Sequence, residues 1–165
     1  ISRSNRIMQP VKVAELVSES IALLGTEIPR ALRIDMEASL SSVGQALGSP
    51  VALQQIVINL LKNAAESIMA HAPAASNGRI RVAATEESRD GRVMIGLSIS
   101  DNGEGISQEN LSRVFERGFS TKSRSTSGQG LHWCAITATA LGGRITVNSD
   151  GAGQGAAVSL WLPKA

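Results

Sequence analysis

The stretch "RIRVAATEESRDGRVMIGLSIS", residues 79 to 100, decides what kind of fold this sequence can make. Residues 79–88 and 92–100 read as strands, and "RDG" between them is turn chemistry, because Asp and Gly tolerate the left-handed backbone of a tight hairpin turn. Two strands so joined must be antiparallel neighbours, and their length makes them central. A doubly wound parallel sheet, in which each strand returns through a crossover helix, is thereby disfavoured.

Outward from the hairpin, "HAPAASNG" (71–78) breaks the chain before it, and a long helix precedes that break. The helix is expected to start after Ser49 as N-cap, with Pro50 at the first helical position, and to run to about Ala70. Further upstream, "SSVGQALGSP" (41–50) reads as turn chemistry. "ALRIDMEASL" (31–40) alternates Leu32, Ile34 and Met36 against Arg33, Asp35 and Glu37, as a half-buried strand does. "VKVAELVSESIALLG" (11–25) spaces Val13, Leu16, Val17, Ile21 and Leu24 as one face of a helix that stops at Gly25. Downstream, "DNGEGI" closes the second strand of the hairpin, and "SQENLSRVF" opens a short helix capped by Ser107. A polar stretch from Ser120 to Gly130 is expected to be mobile. A third long helix, "LHWCAITATALGG", ends on glycine, and "RITVNS" and "AAVSLWLP" are strands around "DGAGQG". Three long helices and about five strands, with hairpins dominant, predict an α+β fold: a two-layer sandwich with the helices on one face of a mixed sheet.

A chain of 165 residues suits one domain. The net charge is only +2 and Lys and Arg are scattered, which argues against nucleic-acid or membrane-surface binding despite a pI near 9.1. Cys134, the single cysteine, cannot form an internal disulfide, which fits a reducing compartment and leads to a cytoplasmic expectation. No apolar run reaches the ~18 residues of a membrane span, and "ISRSNRIMQP" is not a secretory signal. The initial isoleucine suggests a piece of something longer.

Three constellations could carry chemistry. In "IVINLLKNAAESI" (56–68), Asn59 and Asn63 interrupt an oily helical surface one turn apart, and with Gln55 they form a polar stripe. They are either surface or backbone-satisfied amides, or oxygen ligands for a hard cation such as Mg²⁺, which takes only one or two protein ligands beside nucleotide phosphates. In "ISDNGEGI", Asp101 ends a strand and runs into Gly103 and Gly105; this is either a plain turn or a carboxylate at a sheet edge beside backbone that a flat ligand can approach. In "VFERGFSTKSRSTSGQGLHW", Phe115 and Phe119 flank the polar stretch, and Gly128 and Gly130 precede a helix whose first amides could face an anion. Thr121, Lys122, Arg124 and Ser125 would then cover that anion, or else form a solvated loop.

In this order the segments resemble the ATP-binding catalytic domain of sensor histidine kinases, built on the Bergerat fold shared with DNA gyrase and MutL-type ATPases. "LQQIVINLLKNAAESI" looks like the asparagine box, "DNGEGI" the first glycine box, "VFERGFSTK" the phenylalanine box, "GQGLHW" the second glycine box, and "DGAGQGAAVSLWLP" the closing glycine turn and strand. The match covers about residues 10 to 163 and looks most like the nitrogen- and oxygen-sensing kinases. It implies a single catalytic domain over residues 1–165, with 1–10 as the remnant of a linker from a helical dimerisation domain. It implies that Asn63 holds Mg²⁺ bridging the phosphates of ATP, that Asn59 supports that site, and that Asp101 accepts from the adenine amino group. Gly103 and Gly105 would let adenine approach and Ile106 would pack beside it. Gly128, Gly130 and Leu131, with the stretch between Phe119 and Leu131, would cover the triphosphate.

The resemblance also carries departures. Gyrase-like ATPases place a water-activating glutamate four residues before the metal asparagine; Asn59 stands there and cannot take a proton, so hydrolysis should be slow. Glu66 replaces a basic residue of many relatives, leaving Lys62 or Lys122 to neutralise phosphate, and Ala156 and Ala157 follow Gly155 where a threonine is common. The implied partners are a helical domain bearing the phosphoacceptor histidine and a response-regulator receiver domain, with no nucleic acid and no direct membrane contact. His71 and His132 are not in such a helical hairpin, so the chain is expected to lack its own acceptor. Cys134 reads as a small buried hydrophobe, and Trp133 and Trp161 as core or interface packing. The rival readings are a self-sufficient gyrase-like ATPase and a degenerate nucleotide-binding or docking module.

Overall fold

The hairpin forms as read, and its turn is tighter than "RDG" suggests. In this computed structural model, which describes residues 7–71, 77–116 and 127–165 (side chains of 127–129 excepted), β4 (Arg79–Arg89) pairs antiparallel with β5 (Arg92–Asp101). Arg89 faces Arg92, leaving only Asp90 and Gly91 in the loop, with φ of 53° and 76°. Both central residues are left-handed, the backbone of a type I′ turn, which follows the natural twist of the strands.

Around this hairpin the sheet grows to five strands in the order β2-β4-β5-β7-β6, where β2 is Arg33–Met36, β6 Arg144–Asn148 and β7 Ala156–Pro163. Only β2 runs parallel to its neighbour, β4, so the sheet is mixed. One face is apolar by the two-residue period: Ile80, Val82 and Ala84 on β4, Ile95, Leu97 and Ile99 on β5, and Leu160 and Leu162 on β7 are all buried. The helices cover that face. α3 (Pro50–His71) lies over β4 and β5 between α1 (Val13–Leu24) and α5 (Ser127–Ala140), and α5 also meets β6 and β7. The expected α+β sandwich is the fold observed.

α3 begins where Ser49 and Pro50 place it. The Leu53 amide donates to the Ser49 carbonyl at 2.8 Å, the first regular bond of the helix, and the Ala52 amide donates to the Ser49 hydroxyl at 3.4 Å, which takes up a donor that the first turn leaves over. α1 ends on Gly25, whose amide caps back to the Ile21 carbonyl. α5 ends with the Gly142 and Gly143 amides returned to Thr139 and Ala138, with φ of 86° at Gly142.

Several expectations need correction. "SSVGQALGSP" is not turn throughout: α2 (Ser39–Ser42) is a single helical turn, and β3 (Ala46–Gly48) pairs antiparallel with β1 (Gln9–Val11) in a separate two-stranded sheet. Three-residue strands are too short to show a period, so neither was legible. The β3 end is held from afar: the Ala165 amide donates to the Gln45 carbonyl, and Glu86 on β4 accepts from the Gly44 amide at 2.6 Å and from Lys164 at 3.1 Å. Ser107 stands at the N-cap of α4 (Gln108–Leu111) in extended conformation, but its side chain makes no capping bond there; its carbonyl accepts from Asn110 and Leu111 instead. α5 starts at Ser127, four residues before the expected Leu131, so part of the stretch expected to be mobile is helical. Phe119, Thr121, Lys122, Arg124 and Ser125 lie outside the described residues. Neither tryptophan is core: Trp133 is 41% exposed, and Trp161 lies on the open face of the sheet across Gly96, with the Arg144 guanidinium 5.3 Å from its ring.

Candidate functional site

Strand period and helix period converge at one end of the α3–β5 contact. On β5 the helix-facing series Ile95, Leu97, Ile99 continues to Asp101, so the register that buries three aliphatic side chains puts a carboxylate next under the same helix. On α3 the buried face is Leu53, Ile56, Val57, Leu60, Leu61, Ala64 and Ile68, and Asn59 and Asn63 are half-buried at its border. The α3 stripe thus reaches Asp101 through Ser67, whose hydroxyl lies 3.3 Å from Oδ1, a juxtaposition the sequence alone could not establish.

The carboxylate is firmly held. Asp101 Oδ1 accepts from the Gly103 amide at 2.8 Å and from the Ser67 hydroxyl at 3.3 Å. Ser67 is a buried α3 residue that reading the sequence missed. The available signal was the stripe itself, because Gln55, Asn59, Asn63 and Ser67 repeat every four residues.

The glycines of "DNGEGI" have a reason inside the protein. A Cβ on Gly103 would collide with the Ser67 hydroxyl and the α3 backbone, and one on Gly105, whose φ is 70°, would collide with the Gly151 carbonyl oxygen. The loop is stitched to the closing glycine turn. The Gly153 and Gly155 amides donate to the carbonyls of Glu104 and Gly103, and the Ser149 hydroxyl accepts from Ile106 at 3.0 Å while donating to the Gly155 carbonyl at 2.6 Å. Asn102 points the other way, bridging the Arg79 amide and the Asn77 carbonyl. Ile106 is half-buried beside this junction.

At the other end of the stripe, α3 meets α5. Asn59 Nδ2 donates to the Cys134 sulfur at 3.8 Å, and Gly130 lies against the Asn59 side chain. Cys134 is fully buried, and this burial pushes its thiol up to about 11, with the Asn59 amide opposing the shift. It is thus the small buried hydrophobe expected, with one polar contact. His132, half-buried, places Nδ1 3.0 Å from the Phe115 carbonyl and ties α5 to the segment after α4. Gly128, Gly130 and Leu131 all lie in the first turns of α5. Lys62 pairs with Glu27, in the 3-10 turn that follows α1, at 3.1 Å; Lys122 lies outside the described residues.

The donor set suits a cation that brings other ligands with it. Asn59 and Asn63 offer neutral amide oxygens one turn apart, and among the described residues no cluster of three His, Cys, Asp or Glu side chains could hold a metal alone. Mg²⁺, which keeps waters and phosphate oxygens beside one or two protein ligands, fits such a site; a structural zinc site does not.

Comparison with known proteins bears on family and fold. Residues 48–165 match the family described as "Histidine kinase-, DNA gyrase B-, and HSP90-like ATPase". The sensor histidine kinase ZraS of Escherichia coli K12 is 29% identical over 157 residues, covering 94% of this chain and 31% of that protein. The nitrogen regulation protein NtrY of Azorhizobium caulinodans is 37% identical over 111 residues, covering 67% of this chain and 14% of that protein. The chain thus spans less than a third of either relative. The solved structure of the mycobacterial sensor histidine kinase MprB superposes with a TM-score of 0.75 at 25% identity, over 94% of this chain and 98% of that one. Full-length ShkA in complex with AMPPNP gives 0.76 at 24% identity, over 96% of this chain and 31% of that one, a likeness of fold. The chain belongs to the family of histidine kinase-, DNA gyrase B- and HSP90-like ATPases.

Proposed function

We propose that this chain is the catalytic domain of a two-component sensor histidine kinase, binding Mg-ATP between α3, the 101–106 loop and the start of α5. The observation that carries the reading is the convergence of Asp101, held under α3, with the asparagine stripe of that same helix. Asp101 accepts from the adenine amino group and Ile106 packs beside the base. Asn63 supplies an oxygen to Mg²⁺, with Asn59 supporting the same site. Gly128, Gly130 and Leu131 line the triphosphate where the first amides of α5 favour anions. Bound Mg²⁺ supplies charge neutralisation on the phosphates.

Asn59 commits its amide nitrogen to the Cys134 sulfur, and neither group of the amide can act as a base. Transfer to a protein acceptor does not need one from this chain. An imidazole nitrogen on a separate helical domain attacks the γ-phosphorus, the bond to the bridging oxygen breaks and ADP leaves, so positioning and charge neutralisation carry the step. The phosphoryl group then passes to an aspartate on a receiver domain. Lys62 is a candidate for the phosphates, because its pair with Glu27 is half-exposed on both sides and such surface pairs contribute little, so it can be exchanged. Lys122 is the second candidate.

The test is calorimetric titration of the chain with ATP, ADP and GTP, with and without Mg²⁺, repeated on Asn63→Ala. Saturable, adenine-selective binding that strengthens with Mg²⁺ in the parent chain and loses that dependence in Asn63→Ala is the expected result. No binding at millimolar ATP would leave the fold standing and turn the reading to a docking module.

A further inference from the structure

The polar stripe of α3 does not stop at the asparagines. Two turns beyond Asn59 it reaches Ser67, which is 8% exposed and sits where α3 crosses the end of β5. Its hydroxyl accepts from the Glu104 amide at 3.1 Å and donates to Asp101 Oδ1 at 3.3 Å, while the Ser67 carbonyl takes a second share of that same amide at 3.1 Å. One donor and one acceptor function of the hydroxyl are therefore both in use.

An aspartate side chain is soft about its last torsion, where the preference is broad and two-fold. Two donors converging on Oδ1, one from the Gly103 amide and one from Ser67, take that freedom away and set the direction of the second oxygen. The Gly103 amide reaches that oxygen from the loop and the Ser67 hydroxyl reaches it from the helix, so the carboxylate is gripped from two directions. An alanine at 67 would still close the space over Gly103 and keep the carbonyl bond to Glu104, so the hydroxyl is not needed for packing alone.

We infer that Ser67 is a positioning residue for base recognition: it locks the Asp101 carboxylate in the orientation that meets the exocyclic amino group of adenine, so the helix carrying Asn59 and Asn63 also sets the purine preference. This rests on the reading of Asp101 given above. It adds a determinant on α3, where the triphosphate and the base would be read by one rigid element.

The test compares ATP with inosine triphosphate, which carries a carbonyl in place of that amino group, by calorimetry on the parent chain, Ser67→Ala, Ser67→Cys, Asp101→Asn and the Ser67→Ala/Asp101→Asn double variant. Ser67→Ala should weaken ATP by about 3- to 10-fold, the scale of one ordinary hydrogen bond, and leave inosine triphosphate unchanged. Ser67→Cys, a weaker donor, should fall between, which keeps the test alive if the alanine variant folds poorly. The double variant should lose no more selectivity than Asp101→Asn, because the two side chains act as one unit. An unchanged ATP preference in Ser67→Ala, or equal weakening of both nucleotides with a lowered melting temperature, would overturn the inference and reduce Ser67 to a packing residue. A parent chain that binds both nucleotides equally would overturn the reading of Asp101 and the inference with it.

Discussion

Asn59 and Cys134 meet where the core of the molecule gives way to its candidate chemistry. The thiol is fully buried and its ionised form is disfavoured, with its pKa raised to about 11 against roughly 8.5 for an exposed cysteine. The folded protein therefore keeps this proton at pH values where the unfolded chain has released it. Its contribution is fully present below about pH 8 and is lost as pH rises from roughly 8.5 toward 11, with a slope of at most about 1.4 kcal/mol per pH unit. Denaturant unfolding at pH 7.5, 9.5 and 10.5 should show the parent chain losing on the order of 2 kcal/mol more than Cys134→Ala. The chain has no tyrosine to confuse that range. Parallel pH profiles for the two proteins would mean that the thiol ionises inside the fold. At this scale much was legible. Asn59, Asn63 and Asp101 stood out because polar groups on apolar periods are conspicuous. Ser67 did not, because serine near a helix end is unremarkable until Asp101 lies 3.3 Å away.

Among the elements, the 101–106 loop and the turn between β6 and β7 behave as one unit. Their junction is made of backbone: amides of Gly153 and Gly155 on carbonyls of Glu104 and Gly103, with Ser149 bridging the rest. Gly105→Ala should therefore cost roughly 2–4 kcal/mol, combining about 1–2 kcal/mol for a left-handed alanine with the collision against the Gly151 carbonyl. Chemical denaturation measures it, and a loss below about 0.5 kcal/mol would show that the turn moves aside at little cost. Sequence pattern located both loops but could not join them, because the bonds between them are main-chain and have no residue signature. The same blindness hid the β1–β3 pair, whose three-residue strands are specified by partners far along the chain.

For the molecule as a whole, the absence of a base at position 59 becomes a rate. If kinase chemistry is the function, the chain alone should turn over ATP far below about 1 per second, the low end of ordinary enzyme rates, while still binding nucleotide. Phosphate release measured with the chain alone and with a supplied helical phosphoacceptor domain separates the cases. Turnover near 1 per second without a partner would favour a self-sufficient ATPase and overturn the role given to Asn59.

The sequence by itself determined the fold class and the chain order of the three long helices and the five strands of the main sheet. It did so because hairpin turns, helix stops and the periods of 2 and 3.6 are local and survive without knowledge of distant neighbours. It also marked Asn59, Asn63 and Asp101, by placing polar groups where the local period calls for oil. Only the tertiary structure decided that the helix carrying two of these marks meets the third, that Ser67 grips Asp101, that Cys134 backs Asn59, and that the glycines of "DNGEGI" make room for protein backbone. Each of those facts depends on two segments far apart in the chain arriving within a few ångströms of one another. That is fixed by how α3, β5 and α5 share a core, and no local pattern encodes it.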